Sequence, residues 1–187
     1  MIHAAREAFA ANGFHGTGIA QIAQASGVRV GQIYRDFANK EAIVAEIVAR
    51  DLEDFLSEQG LCAAGATGDP EAVRAWIGQF VACEKPESGG RLVAEIMAEA
   101  SRNVRIAEIV RTVNERMNNE LSSALRLLVP ASVSPARFEC VAEMIQTIAA
   151  GVFQRRVTEQ DQPNREVIAA LMNCINAAID GLQKEAG

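Results

Sequence analysis

The sequence predicts an all-α protein of about nine helices, a three-helix N-terminal head joined by a fourth helix to a larger helical body. Three observations carry this. Apolar residues recur at three- and four-residue spacing along most of the chain, as one face of a helix requires. Glycine, proline and capping residues punctuate those stretches at Asn12-Gly13, Ser26-Gly27, Asp69-Pro70 and Ser134-Pro135. Alternating β-branched runs are scarce, which leaves little room for strands.

Helix 1 carries Ala5, Ala8 and Phe9 on one face and ends at Asn12-Gly13, where glycine accepts a left-handed backbone. Thr17 is positioned to cap helix 2, whose Ile19, Ile22 and Ala23 face a small core. Ser26-Gly27 breaks that helix after about two turns, on the pattern of a tight interhelical glycine turn. Val28, Ile33 and Phe37 then form the inner face of helix 3, leaving Arg29, Val30, Gly31, Gln32, Tyr34 and Arg35 outward. Two short helices around a glycine turn make a helix-turn-helix, and the outward set suits a major groove. Arginine and glutamine match base edges, tyrosine and lysine reach phosphates, and Gly31 permits close approach.

Helix 4 starts from Asn39 as N-cap and carries Ile43, Ile47, Leu52, Phe55 and Leu56. A glycine- and alanine-rich loop, Gln59 to Gly68, separates it from helix 5, which opens on Asp69-Pro70 and continues through Val73, Trp76, Ile77 and Phe80. After a break from Lys85 to Gly90, helix 6 carries Leu92, Val93, Ile96, Met97 and Ala100, and helix 7 runs from Ile106 to Leu128 before Pro130. Helix 8 starts at Ser134-Pro135 and helix 9 at Asn164. Apolar side chains spread around more than one face of helix 8, so one side is expected to meet a partner.

The segment from Gly13 to Glu41 resembles the DNA-binding head of the TetR family of bacterial transcriptional regulators. Gly13-Phe14, Thr17, Ile22-Ala23, Ala25, Gly27-Val28, Gly31, Tyr34, Phe37 and Lys40-Glu41 match in order and without gaps. The resemblance implies a head over residues 1–45, a ligand-binding and dimerisation body over 46–187, and a double-stranded DNA operator of palindromic form. It implies phosphate contacts from Thr17, Tyr34 and Lys40 and base contacts from Gln32. Gly18, Arg29, Val30, Gly31 and Arg35 complete the expected interface. Arg29 stands where a capping serine is common, Val30 where a polar or basic residue is frequent, and Gly18 where a second hydroxyl is usual. Capping is therefore weaker by about 1 kcal/mol, and Arg29 is available for a phosphate or guanine. Met1 falls inside the helix 1 pattern, so the basic arm that related proteins place ahead of it is either lacking or precedes this sequence.

A homodimer follows from the same resemblance, through a four-helix interface of helices 8 and 9. The expected contacts are Met144, Ile148, Gly151, Val152, Ile168, Met172 and Ile175. The body is larger than dimerisation needs. Trp76, Phe80, Met97, Met117 and Phe153, with polar groups such as Gln146 or Asn114, are candidates to line a cavity for a small-molecule effector, or simply to fill the core. Glu95 and Glu99, near Arg91 and Arg102, read as a solvated charged face, or else as one inward carboxylate that selects a cationic ligand.

Composition bounds the remaining classes. A net charge of −6 disfavours a protein that coats nucleic acid broadly, while leaving room for a basic head on an acidic body. Only His3 and His15 are present, and Cys62, Cys83, Cys140 and Cys174 lie far apart, so no metal site, cofactor or histidine-based catalytic centre is expected. No long apolar run and no leader open the chain, which points to the cytoplasm without a membrane partner. The function expected is a repressor released from its operator by an effector. The alternative is a small-molecule or redox-sensing helical module with a weakened head.

Overall fold

A computed structural model describes residues 1–58, 69–82, 90–159 and 165–184. Among them are nine helices and no strand: α1 (Ile2–Gly16), α2 (Ile19–Ser26), α3 (Val30–Asp36), α4 (Lys40–Glu58), α5 (Pro70–Ala82), α6 (Gly90–Ala100), α7 (Val104–Arg126), α8 (Pro135–Glu159) and α9 (Arg165–Lys184). The expected loop from Gln59 to Gly68, most of the break before Gly90, the Asn164 start, Cys62 and Cys83 lie outside the described residues.

The helix ends follow local chemistry. Gly13 takes φ +73° and interrupts α1, which resumes for a final turn to Gly16. Gly27 takes φ +69° at the end of α2, a left-handed conformation that costs glycine nothing sterically. The Asn39 side chain accepts the Ala42 N–H at 2.9 Å, capping α4, and Asp69 accepts the Glu71 N–H at 3.0 Å ahead of Pro70. Arg29 precedes α3 without any side-chain cap, as its identity predicts. The cap expected of Thr17 is not there: Gly18 is the N-cap of α2, and Gln21 reaches back to the Gly18 N–H at 2.7 Å.

The chain divides into two compact units. Unit 1 comprises residues 1–54 and 87–114, so α6 and the start of α7 pack with the helix-turn-helix although they are distant from it in sequence. Its core joins Ala5, Phe9, Phe14, Ile22, Ile33, Ile43 and Ile47 to Leu92, Ile96 and Ile106. Fully burying each large side chain of this set contributes about 1.5–3 kcal/mol. Arg6 and Asp51 form a half-buried ion pair between α1 and α4.

Unit 2 comprises residues 55–86 and 115–187. In it α5 packs on α8 and α9 around Trp76, Ile77, Leu121, Leu125, Ile145, Ile175 and Ile179. Arg74 crosses from α5 to α9, donating to Asn176 at 2.8 Å and Asp180 at 2.6 Å. Gln183 donates to the Leu128 carbonyl at 2.7 Å, tying the end of α9 to the end of α7. No helix among the described residues is long and apolar enough to cross a membrane.

Candidate nucleic-acid interface

Helix α3 has two chemically distinct sides because one residue anchors it. Ile33 is fully buried against the unit 1 core, and Arg29, Val30, Gly31, Tyr34 and Arg35 are exposed, with Gln32 half-buried. Tyr34 is 57% exposed, so its phenolic hydroxyl stands clear of the surface. Space is open around Gly31, where an added Cβ would meet nothing within 4 Å.

The outward side chains are tied to one another. Gln32 Nε2 donates to both Asp36 carboxylate oxygens, at 2.9 and 3.0 Å, and Arg35 donates to Gln32 Oε1. Asp36 therefore orients the group expected to read base edges, a role the sequence reading missed. The signal was there in the four-residue spacing from Gln32, which puts the two on one helix face.

Two expected DNA contacts are instead spent inside the unit. Thr17 is 1% exposed, and its hydroxyl faces the carbonyls of Ala8 at 2.9 Å and Gly13 at 2.8 Å. Its side chain is committed to closing the α1–α2 turn and is not free to reach a phosphate. Lys40 Nζ donates to the carbonyls of Phe14 at 2.7 Å and Thr17 at 3.0 Å, and lies 4.5 Å from the Phe14 ring centroid. Its ammonium holds the same turn from the start of α4. Gly18 is exposed beside them.

The solvated face expected for Glu95 and Glu99 is likewise replaced by internal partners. Glu95 Oε1 accepts the Phe14 N–H at 2.9 Å. Glu99 is 2% exposed, with Arg102 Nε at 2.6 Å, His15 Nε2 at 3.1 Å and Asn103 Nδ2 at 3.3 Å. Burial pushes its pKa up, but the Arg102 and Asn103 hydrogen bonds and the charges of Arg102 and His15 outweigh burial and hold it below the ordinary carboxylate value. Glu99, His15, Arg102 and Asn103, with Glu41 and Arg105, border an open depression of about 480 Å³ within unit 1.

Residues 1–47 match the model of the bacterial regulatory proteins of the tetR family. The similarity to that family thus falls on the segment that carries α1, α2 and α3. The HTH-type transcriptional regulator UidR of Escherichia coli K12 is 28% identical over 127 residues, which are 67% of this chain and 63% of that regulator. The chain thus spans less than two thirds of that relative's length in the alignment. Among solved structures, Salmonella enterica GusR has a TM-score of 0.74 at 22% identity, covering 96% of this chain and 93% of its own. A TetR transcription regulator from Haloarcula marismortui also scores 0.74, at 18% identity over 97% and 95%. FadR of Bacillus subtilis in complex with stearoyl-CoA scores 0.61, at 18% identity over 97% and 95%. These neighbours share the fold.

In unit 2, Trp76 and Phe80 are buried and stacked with ring centroids 5.6 Å apart. Met117 packs half-buried against the same core, and Phe153 is half-buried. Met97 departs from the set: it belongs to unit 1 and is 54% exposed, so it does not line an enclosed cavity. Asn114 is exposed and also belongs to unit 1. Among the described residues, Trp76 Nε1 and Gln146 Nε2 are buried without a hydrogen-bond partner. Of the expected dimer contacts, Val152 and Ile175 are consumed by the core of their own chain. Met144, Ile148, Ile168 and Met172 remain half-buried and Gly151 exposed. Among the described residues no cluster of histidine, cysteine and acidic side chains could hold a metal ion.

Proposed function

We propose that the protein is a DNA-binding transcriptional repressor that grips a palindromic operator as a homodimer and is released by a small-molecule effector. The observation that carries the first part is the division of α3, with Ile33 locked in the core and Arg29, Gln32, Tyr34 and Arg35 turned outward together. A short helix anchored on one side and furnished with forked donors on the other is the form that enters a major groove. One such helix reads only a few base pairs. Useful specificity therefore needs two heads about 34 Å apart, and a two-fold dimer supplies them. The half-buried apolar residues Met144, Ile148, Ile168 and Met172, with Gly151, are the surface proposed to pair.

The effector reading is supported by unit 2, where Trp76 Nε1, in the apolar core, and Gln146 Nε2 are buried donors unmatched among the described residues. Each such orphan costs about 1–3 kcal/mol, and a bound acceptor would recover it. A fold neighbour, FadR, is solved with stearoyl-CoA, so this architecture accommodates a ligand in at least that protein. Release follows if the effector prefers a conformation whose head spacing no longer fits the operator.

Selection of bound fragments from the source genome at fixed, moderate salt tests this. Enrichment of a palindromic site is expected, and Arg35→Ala should lose affinity by about tenfold if the guanidinium reads a base. A folded dimer that enriches no fragment would overturn the reading.

A further inference from the structure

The last turn of α1, after the interruption at Gly13, is gripped from α6 by two carboxylates one helical turn apart. Glu95 takes the Phe14 backbone N–H at 2.9 Å, and the preceding Gly13 leaves it room to do so: a Cβ there would lie 2.7 Å from Glu95 Oε1. Glu99 takes His15 at 3.1 Å and is itself fixed by Arg102. Asn103 caps α7 through its Oδ1, with the Arg105 N–H at 3.1 Å. Its amide nitrogen sits 3.3 Å from both Glu99 and Glu41, so the start of α4 joins the same knot.

This arrangement is expensive if it serves only to hold the fold. A buried carboxylate is stable only when fully paired, and an apolar residue at the same place often does as well or better for stability. Leu92 and Ile96, on the same helix, already fill the apolar core. What the carboxylates add is direction, because hydrogen bonds to one backbone N–H and one imidazole fix the turn in a single geometry. The segment so fixed, residues 13–15 in the last turn of α1, lies a few residues ahead of α2 and so of the helix-turn-helix.

We propose that Glu95 and Glu99 are positioning residues for DNA recognition, which hold the last turn of α1 so that α2 and α3 meet the duplex in one orientation. The proposal rests on the DNA-binding reading above. Neither carboxylate touches DNA. Each acts through the turn, and the open depression beside Glu99 leaves the knot accessible from solvent.

The test compares the full-length wild-type chain with Glu95→Ala, Glu95→Gln and His15→Ala on a fragment that the wild type enriches. Glu95→Ala leaves the Phe14 N–H without its acceptor and should weaken binding about tenfold, with an unchanged dependence on salt because no phosphate contact is lost. Glu95→Gln keeps an acceptor oxygen and should stay within about twofold of wild type. His15→Ala, on a side chain exposed enough to leave folding intact, should weaken binding about threefold. Hydrogen exchange at the Phe14 amide should accelerate in Glu95→Ala and not in Glu95→Gln. Wild-type affinity in both alanine variants, or a salt slope that falls as a lost phosphate contact would make it fall, overturns the proposal. So does equal weakening by Glu95→Gln and Glu95→Ala. If Glu95→Ala fails to fold, His15→Ala and Glu95→Gln decide by the same criteria. Failure of the wild type to retain any fragment removes the DNA-binding reading and this proposal with it, whereas wild-type retention with unaffected variants removes this proposal alone.

Discussion

Both units bury polar groups, and they treat them in opposite ways. In unit 1 the buried hydroxyl of Thr17 and the buried carboxylate of Glu99 each meet partners at hydrogen-bond distance. In unit 2 the Trp76 and Gln146 nitrogens are buried with none among the described residues. Matched polar groups specify one geometry, since any displacement breaks a bond that water cannot replace. Unmatched ones lower stability and leave a capacity to bind. The contrast fits the function proposed above, in which the first unit keeps its shape and the second responds to an effector.

The comparison should vanish for purely apolar positions, and this is the largest effect expected. Ile22→Ala in unit 1 and Ile145→Ala in unit 2 both remove fully buried side chains and should each cost about 2–5 kcal/mol in denaturant titrations. A much smaller loss at one of them would mean that its unit is loosely packed, and the polar contrast would then lose its meaning. Next comes Gly13→Ala, expected to cost about 1–3 kcal/mol because φ +73° is strained for alanine and the new methyl presses on Glu95. A neutral result would show that the turn relaxes freely and is not held by α6.

Gln146→Leu should leave stability unchanged or raise it by about 1 kcal/mol, since it removes an unmatched donor, and should weaken binding of any acceptor-bearing effector. Clear destabilisation would mean that the amide is matched after all. The smallest effect is in pH. Because the folded-state pKa of Glu99 is lowered, its contribution is present above the ordinary carboxylate range and is lost as pH falls through that lowered value. Glu99→Gln should therefore flatten the acid side of a stability profile and change the profile little near neutrality. An unaltered acid limb would show that Glu99 is not paired as described.

What was legible in the sequence was whatever depends on neighbours within a few residues. Asn39 and Asp69 cap the helices they precede, Gly13 and Gly27 take the left-handed conformations, and Ile33 separates the inner from the outer side of α3. What was not legible depends on distant segments. Thr17 and Lys40 match the pattern of phosphate-binding residues, yet carbonyls of the α1–α2 region claim both. Glu95 and Glu99 look like a solvated pair because nothing local reveals that Phe14 and His15, some eighty residues earlier, lie against them. Val152 and Ile175 share their stripes with half-buried neighbours, and periodicity alone does not separate a side chain facing its own core from one facing another subunit.

The chain contains a single tryptophan and a single tyrosine, and they fall in different units. Trp76 is enclosed in unit 2, and Tyr34 projects from α3 of unit 1. The protein therefore carries two intrinsic optical reporters that need no chemical labelling. Emission excited at the red edge of indole absorption follows the surroundings of the first without interference from the second. Events in unit 2 are in this way visible by themselves in an unmodified sample.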